Sequence, residues 1–187
     1  MEILYYSNFD SPIGELWGAC SGKGLVRFGI HTSKDEFITD LKNNFKADII
    51  YSPENFMDLK TQLKEYFEGK RHNFVVKFDL RGTEFQRKVW EAIFKIPYGC
   101  LNSYGRIAKE IGKPKAYRAA ANAVGDNPLG LIIPCHRVVE SNGGFGGFGG
   151  FGGDLPLKRK ILKHEGIFKI DEGTPEKGVD LRSFFYY

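Results

Sequence analysis

No uninterrupted apolar run in the chain approaches the roughly 20 residues that a membrane-spanning helix needs. The opening, MEILYYSNFD, carries neither a basic leader nor an apolar signal core. A soluble intracellular protein is therefore expected, cytoplasmic or, in a eukaryote, nuclear, with no membrane partner. Cysteine is scarce: Cys20, Cys100 and Cys135 are the only three in 187 residues. They are too few and too scattered for a disulfide framework, and an odd count leaves at least one thiol free, which suits a reducing compartment. Metal-ligand spacing is lacking as well. Cys20, His31 and His72 match no compact zinc site and have no evident fourth ligand, so no metal and no other cofactor is expected. Charge of one sign is not in large excess. A net charge of +4 permits a nucleic-acid partner without demanding one.

What is present is a change of pattern along the chain. The first thirty or so residues alternate apolar and polar, as in Glu15-Leu16-Trp17-Gly18 and Leu25-Val26-Arg27-Phe28, broken by Ser11-Pro12 and Ser21-Gly22. This predicts an antiparallel meander. Helical spacing follows near 34–45 and 53–67, then a strand or extended linker over 73–80, and Arg81-Gly82 is a natural boundary between domains of 1–81 and 82–187. Beyond it the pattern is helical. Thr83 can cap a helix carrying Phe85, Val89, Trp90 and Ile93 and ending before Pro97. Ser103 can cap a second that stops at Gly112, and Pro114 can sit just inside a third that runs to about Val124. Two short helices joined by a turn with Gly and Pro resemble a helix-turn-helix, although many such hairpins bind no DNA. A final helix is predicted from Asp154 and Pro156 to Gly166, and the tail from Ile167 to Tyr187 has no clear organisation.

Three features could carry chemistry. The stretch Asn142-GGFGGFGGFGG-Asp154 contains a GxGxxG match, but a three-residue repeat makes such a match almost unavoidable and the strand-turn-helix context is missing. It reads as a linker or, given its large phenylalanines, as a loop closing over an apolar ligand. Cys135-His136 invites a thiolate reading, since an imidazole can hold a thiol's proton. Adjacent side chains on a strand face opposite ways, so the pair can cooperate only if Pro134 bends the chain or a water bridges them; otherwise Cys135 is an inert core residue. Glu165 falls in register with Lys158, Ile161 and Leu162, at a helix end where the backbone dipole disfavours negative charge. A cationic or hydrogen-bonding partner would offset that, and His136 is a candidate for a Glu-His-Cys relay.

The runs GTEFQRKVWEAIFKIPYG, SYGRIAKEIGKPKAYRAA, NPLGLIIPCHRVV and KRKILKHEG together resemble the O6-alkylguanine-DNA alkyltransferases, or methylated-DNA–protein-cysteine methyltransferases. The resemblance covers about half the chain, and the PCHRV core is highly specific; the DSPIG turn near the start matches more loosely. It implies an α+β fold: a small N-terminal antiparallel-sheet domain of RNase-H-like type, followed by a helical winged-helix domain. It implies double-stranded DNA carrying O6-alkylguanine as partner, a monomer, and a single-turnover transfer to Cys135. His136 and Glu165 match residues that activate the thiol through a water, and Asn127 matches one that braces the preceding turn. Tyr104 matches a tyrosine that displaces a phosphate and donates to the purine, and Arg118 an arginine that fills the space of a flipped nucleotide. Ser103, Ala121 and Asn122 fall on the matching DNA-contacting face, the backbone of Val138 on the guanine pocket, and Phe148 or Phe151 on a loop aromatic. Two departures stand out. Ala121 places a methyl where the family usually has only hydrogen, and the Gly-Gly-Phe repeat lengthens the span from Cys135 to Glu165. A non-catalytic helix-turn-helix protein and a Cys-His hydrolase remain as alternatives, distinguished by whether the protein is alkylated and whether it turns over.

Overall fold

The computed structural model describes residues 2–146, 154–167 and 180–186. The chain divides into two compact units, Met1–Arg81 and Gly82–Tyr187.

In the first unit, β1 (Glu2–Phe9), β2 (Leu16–Ser21) and β3 (Gly24–Ile30) form the expected antiparallel meander. The sheet is mixed, however, in the order β3-β2-β1-β4, because β4 (Ala47–Tyr51) runs parallel to β1. A parallel neighbour needs a long crossover. Helix α1 (Lys34–Asn44) supplies it, opened by a capping box in which Ser33 accepts from the Glu36 N–H and Glu36 returns to the Ser33 N–H. Leu4, Tyr6, Trp17, Ala19 and Val26 from the sheet close on Phe37 and Leu41 of α1 to make the core. The helix expected over 53–67 is a 3-10 turn, Pro53–Phe56, running into α2 (Met57–Phe67). The segment 73–80 forms no strand of its own. It is extended and pinned by single bonds, Leu25 N–H to Lys77 C=O at 2.8 Å and Asp79 N–H to Leu25 C=O at 2.9 Å.

The second unit starts with α3 (Glu84–Phe94), whose first turn carries a second capping box between Thr83 and Gln86. β5 (Asn102–Ser103) leads directly into α4 (Tyr104–Glu110), where the Ser103 hydroxyl accepts from the Arg106 N–H. α5 spans Tyr117–Gly125 and begins three residues after Pro114. The Ala116 N–H bonds to the Lys113 C=O at 2.8 Å, so Pro114 occupies the second position of a β-turn, which its fixed φ favours, and not the first turn of the helix. Trp90 locks α3 to α5 by donating its indole N–H to the Ala123 carbonyl at 2.7 Å. β6 (Val138–Val139) pairs in parallel with β5. α6 (Leu155–His164) is capped by Asp154 and buries Leu157, Lys158, Ile161 and Leu162. Far from being unorganised, Asp180–Tyr186 is docked: Leu181 is fully buried among Leu101, Val139, Phe145, Leu162 and Ile167. Among the described residues no helix is long and apolar enough to cross a membrane.

Candidate active site around Cys135

The approach to Cys135 is built by backbone geometry. Ahead of it the chain turns back on itself, with the Ile133 N–H on the Leu129 carbonyl at 2.8 Å and Leu131 held at a φ of 73°. Pro134 has φ −79° and ψ 65°, and the Cys135 N–H donates to the Ile133 carbonyl at 2.8 Å. That is an inverse γ-turn, for which proline's ring is pre-set. Asn127 braces it from the side: its Nδ2 donates to the same Ile133 carbonyl at 2.8 Å, and its Oδ1 accepts from the Leu129 N–H at 3.0 Å. Past Pro134 the residues Cys135–Arg137 form one 3-10 turn before the chain extends into β6. Pro134 does bend the chain, and Cys135 and His136 sit on a turn instead of on opposite faces of a strand.

The three groups singled out for chemistry are all in the interior: Cys135 is 1% exposed, His136 0% and Glu165 2%. His136 Nε2 lies 2.8 Å from Glu165 Oε1. Glu165 is the residue that caps the C-terminal end of α6, where an unbalanced carboxylate would be disfavoured. The balance comes from two sides. Besides His136, Arg137 makes a forked contact, Nε to Oε2 and an Nη to Oε1, each at 2.8 Å, while its other Nη donates to the Ile96 carbonyl at 2.6 Å. The Arg137 guanidinium also lies 5.8 Å from the centre of the Tyr98 ring.

These contacts set the protonation states. Burial alone would push the Glu165 carboxyl up, but the pull of His136 and Arg137 outweighs it and holds the group well below the usual carboxylate range. Burial lowers the His136 pKa against the opposing pull of Glu165, leaving the ring neutral near pH 7. A neutral ring facing an ionised carboxylate carries its hydrogen on Nε2, and Nδ1 is then the basic nitrogen. The array is a base with a fixed tautomer.

Lys158 is the second charge that sequence reasoning did not assign to the site. It is 1% exposed, and its Nζ donates to the Val138 carbonyl at 2.7 Å and to the Phe145 carbonyl at 2.9 Å. Burial pulls its ammonium down to about 8, opposed by Cys135 and Glu140. Lys158 thus ties the strand after Cys135 to the start of the Gly-Gly-Phe stretch. The signal was a lysine in register with Ile161 and Leu162; for Arg137 it was a cation within the apolar run 129–139.

The remaining predicted residues fall elsewhere. Tyr104, buried, opens α4, and its phenol is pushed up by burial and then by Cys135 and Glu140, so it keeps its proton. Gly146, at φ 77°, passes so close that an added Cβ would lie 2.9 Å from the Tyr104 hydroxyl. An open groove of about 600 Å³ is lined by Tyr104, Arg118, Ala121, Glu140, Ser141 and Gly146 among others. Arg118 is exposed, with its guanidinium 5.7 Å from the Tyr117 ring centre. Ser103 is buried at the α4 cap, where Ser141 reaches it at 3.3 Å. Val138 is buried and presents its carbonyl to Lys158. Asn122 is exposed on α5 and is not part of the groove wall. Phe148 and Phe151 lie outside the described residues.

A buried thiol on the same turn as an imidazole of fixed tautomer, which is itself bonded to an ionised acid, beside a helical pair bordering an open groove, is an arrangement that can use cysteine as a nucleophile. Comparison with known proteins gives that chemistry a family. Residues 4–80 match the model of the 6-O-methylguanine DNA methyltransferase ribonuclease-like domain, and residues 84–167 match that of the 6-O-methylguanine DNA methyltransferase DNA-binding domain. The methylated-DNA–protein-cysteine methyltransferase of Methanosarcina acetivorans is 38% identical over 167 residues, covering 87% of this chain and 99% of that protein. That of Mycobacterium tuberculosis is 39% identical over 163 residues, covering 87% and 93%. The crystal structure of Mycobacterium tuberculosis OGT in complex with DNA superposes with a TM-score of 0.73 at 39% identity, covering 86% of this chain and 92% of that one. The chain belongs to the methylated-DNA–protein-cysteine methyltransferase family.

Proposed function

We propose that this protein repairs alkylated double-stranded DNA by direct reversal, moving a methyl or other alkyl group from O6 of guanine onto its own Cys135, once per molecule. The observation that carries the reading is the buried Glu165-His136 contact at 2.8 Å on the turn that holds Cys135. His136 Nδ1 takes the thiol proton through a water, and the Cys135 sulfur attacks the alkyl carbon. The carbon–oxygen bond breaks, its electron pair stays with the purine, and the Tyr104 hydroxyl donates to the ring so that charge does not build up. A soft thiolate suits attack on saturated carbon. The product is a thioether, which has no carbonyl for water to attack, so the cysteine is not regenerated.

An alkyl group inside the base stack is out of line for that attack, so the nucleotide is flipped out at a cost of a few kcal/mol. Arg118, exposed on α5 at the groove, fills the vacated space. Ala121 and Asn122 share that helix with it, and their small size and polarity suit a close approach to the minor groove. Asn127 keeps the turn before Cys135 in shape, Ser103 sets the start of α4 and so the place of Tyr104, and the backbone of Val138 lines the base pocket. The protein acts as a monomer, without cofactor or metal, in the compartment that holds the DNA. A non-catalytic DNA-binding protein would leave the acid-imidazole-thiol array without a task.

The test is intact-mass measurement after incubation with duplex DNA containing O6-methylguanine. The expected result is the gain of one methylene per protein, mapping to the Cys135 peptide, with Cys135→Ala abolishing transfer while DNA binding persists, because affinity resides mainly in phosphate contacts. Multiple turnovers, or a label on Cys20 or Cys100, would overturn the assignment.

A further inference from the structure

The match to the DNA-binding-domain model ends at residue 167, yet Asp180–Tyr186 packs against residues that adjoin the groove lining in sequence. Two backbone bonds attach it to the residue before β5: the Leu101 N–H donates to the Phe184 carbonyl at 2.8 Å, and the Tyr186 N–H to the Leu101 carbonyl at 3.2 Å. A third reaches the turn after β6, from the Leu181 N–H to the Gly143 carbonyl at 3.1 Å. Gly143 belongs to the turn that follows β6, closed by Gly143 N–H to Glu140 C=O and Glu140 N–H to Gly144 C=O, both at 2.9 Å. It has a φ of 87°, and an added Cβ would lie 2.5 Å from Asp180 Oδ1 and 2.7 Å from the Leu181 nitrogen. Only glycine fits there, in conformation and in space.

Side chains follow the same division. Leu181 is fully buried among Leu101, which precedes β5, Val139 and Phe145, which flank the turn after β6, and Leu162 and Ile167, and the Arg106 guanidinium of α4 lies 5.9 Å from the Phe185 ring centre. The segments so joined lead directly into residues that line the groove, Tyr104 just after β5 and Glu140, Ser141 and Asn142 in the turn. We infer that Asp180–Tyr186 is a positioning strap for the substrate groove, with Leu181 as its anchor, holding the Glu140–Gly144 turn at a fixed distance from Tyr104. The inference rests on the reading of Cys135 as alkyl acceptor and adds to it a determinant of substrate binding outside the region the family model covers.

The strap's backbone bonds go to Leu101 and Gly143, whereas the base array is held by the bonds among His136, Arg137 and Glu165. Loosening the strap is therefore expected to displace the binding turn before the base array. The experiment compares the full chain with a chain ending at Val179 and with Leu181→Asp, following methyl transfer from free O6-methylguanine base by intact mass over a range of base concentrations and pH. Both changes should raise the half-saturating concentration about tenfold, since an ångström-scale misplacement of a binding group costs one to two decades. The saturated rate and the shape of its pH profile should stay as in the full chain, and Leu181→Ile should restore the half-saturating concentration. If the shortened chain does not fold, Leu181→Ala keeps every backbone bond and should give a rise of about threefold by the same argument. An unchanged half-saturating concentration in variants that melt at lower temperature would overturn the strap and leave the tail as packing only. A lowered saturated rate with a displaced pH profile would also overturn it. Failure of the alkyl-acceptor reading looks different, because the full chain itself would gain no mass.

Discussion

Both units of the molecule pair charges at the surface, but among the described residues only the second also pairs them in its interior. In Met1–Arg81 the pairs are at the surface: Arg27 meets Asp40 at 2.7 Å with both side chains about a third exposed, and Arg81 bridges Glu2 and Asp79 with its side chain 36% exposed. In Gly82–Tyr187 the pairing that matters is interior: Arg137, Glu165 and His136 share one contact network and Lys158 is buried on two carbonyls. Taking ions out of water costs several kcal/mol each, and a buried pair often contributes less to stability than apolar residues of the same size. Surface pairs therefore tell little about purpose. An interior array kept in spite of its cost points to a task, and here the array sits on the residue that would do the chemistry.

Removing one partner of the interior array should produce the largest effect. Arg137→Met leaves Glu165 with His136 alone, and the unfolding free energy, measured in urea at pH 7, should fall by about 3–5 kcal/mol. Replacing both partners, Arg137→Met with Glu165→Leu, should recover most of that loss and yield no alkyl transfer. Recovery of both stability and transfer would break the comparison, since the charges would then serve neither. The sign with pH follows from the depressed carboxyl: the stabilisation from Glu165 is complete above its ordinary value of 4.5 and is lost as pH falls through its lower folded value.

The array also shows what the sequence could and could not reveal. Glu165 stood out because a carboxylate on an apolar stripe at a helix C-terminus needs a partner, and His136 was the partner named. Arg137 adjoins His136 and was passed over, because an arginine next to a motif reads as a solvated neighbour until the fold closes around it. Lys158 gave the same signal as Glu165, a charge in an apolar register, but its partners are backbone carbonyls, which carry no sequence mark. Helix starts were legible because caps are local, as at Thr83 and Ser103. β4 was not, since Ala47–Tyr51 is a half-exposed edge strand without clean alternation. Nor was the docked tail, whose place depends on Leu101 and Gly143, far away in sequence.

Arg118 offers a sharper contrast within the second unit, between an exposed cation and the buried ones. Arg118→Ala should slow repair of duplex DNA by one or more decades relative to reaction with the free base, because unstacking costs a few kcal/mol and only the duplex has a stack to leave. Transfer rates for both substrates, with folding checked, decide it. Equal slowing would mean that Arg118 supports the pocket and not base flipping.

A smaller effect is expected from Lys158, and it appears as a slope with pH. In the folded protein its ammonium gives up its proton near 8, against 10.5 when unfolded. Between those values the unfolded state binds more protons, so this residue makes stability rise with pH. A neutral amine still has two hydrogens for the Val138 and Phe145 carbonyls, so the contact survives the loss of charge. Comparing urea unfolding of wild type and Lys158→Met at points across that window should show the rise only in wild type. The same slope in both would place the titration elsewhere.

The smallest effect should come from the surface of the first unit. Arg81 contacts Glu2 and Asp79 and lies 5.2 Å from the Phe45 ring centre, but its side chain is 36% exposed, so water competes for each of these contacts. Exposed ion pairs contribute roughly 0.2–1 kcal/mol, and salt screens them over about 10 Å at 0.1 M. Arg81→Ala should therefore lower the unfolding free energy by less than about 1 kcal/mol, with most of the difference erased in high salt. Urea unfolding of wild type and variant at low and high ionic strength measures both quantities at once. Arg137→Met should show no such erasure, because its partners have no contact with solvent. If Arg81→Ala instead cost as much as Arg137→Met and ignored salt, the surface network would be acting as an interior one, and the separation between charges kept for the surface and charges kept for chemistry would not hold.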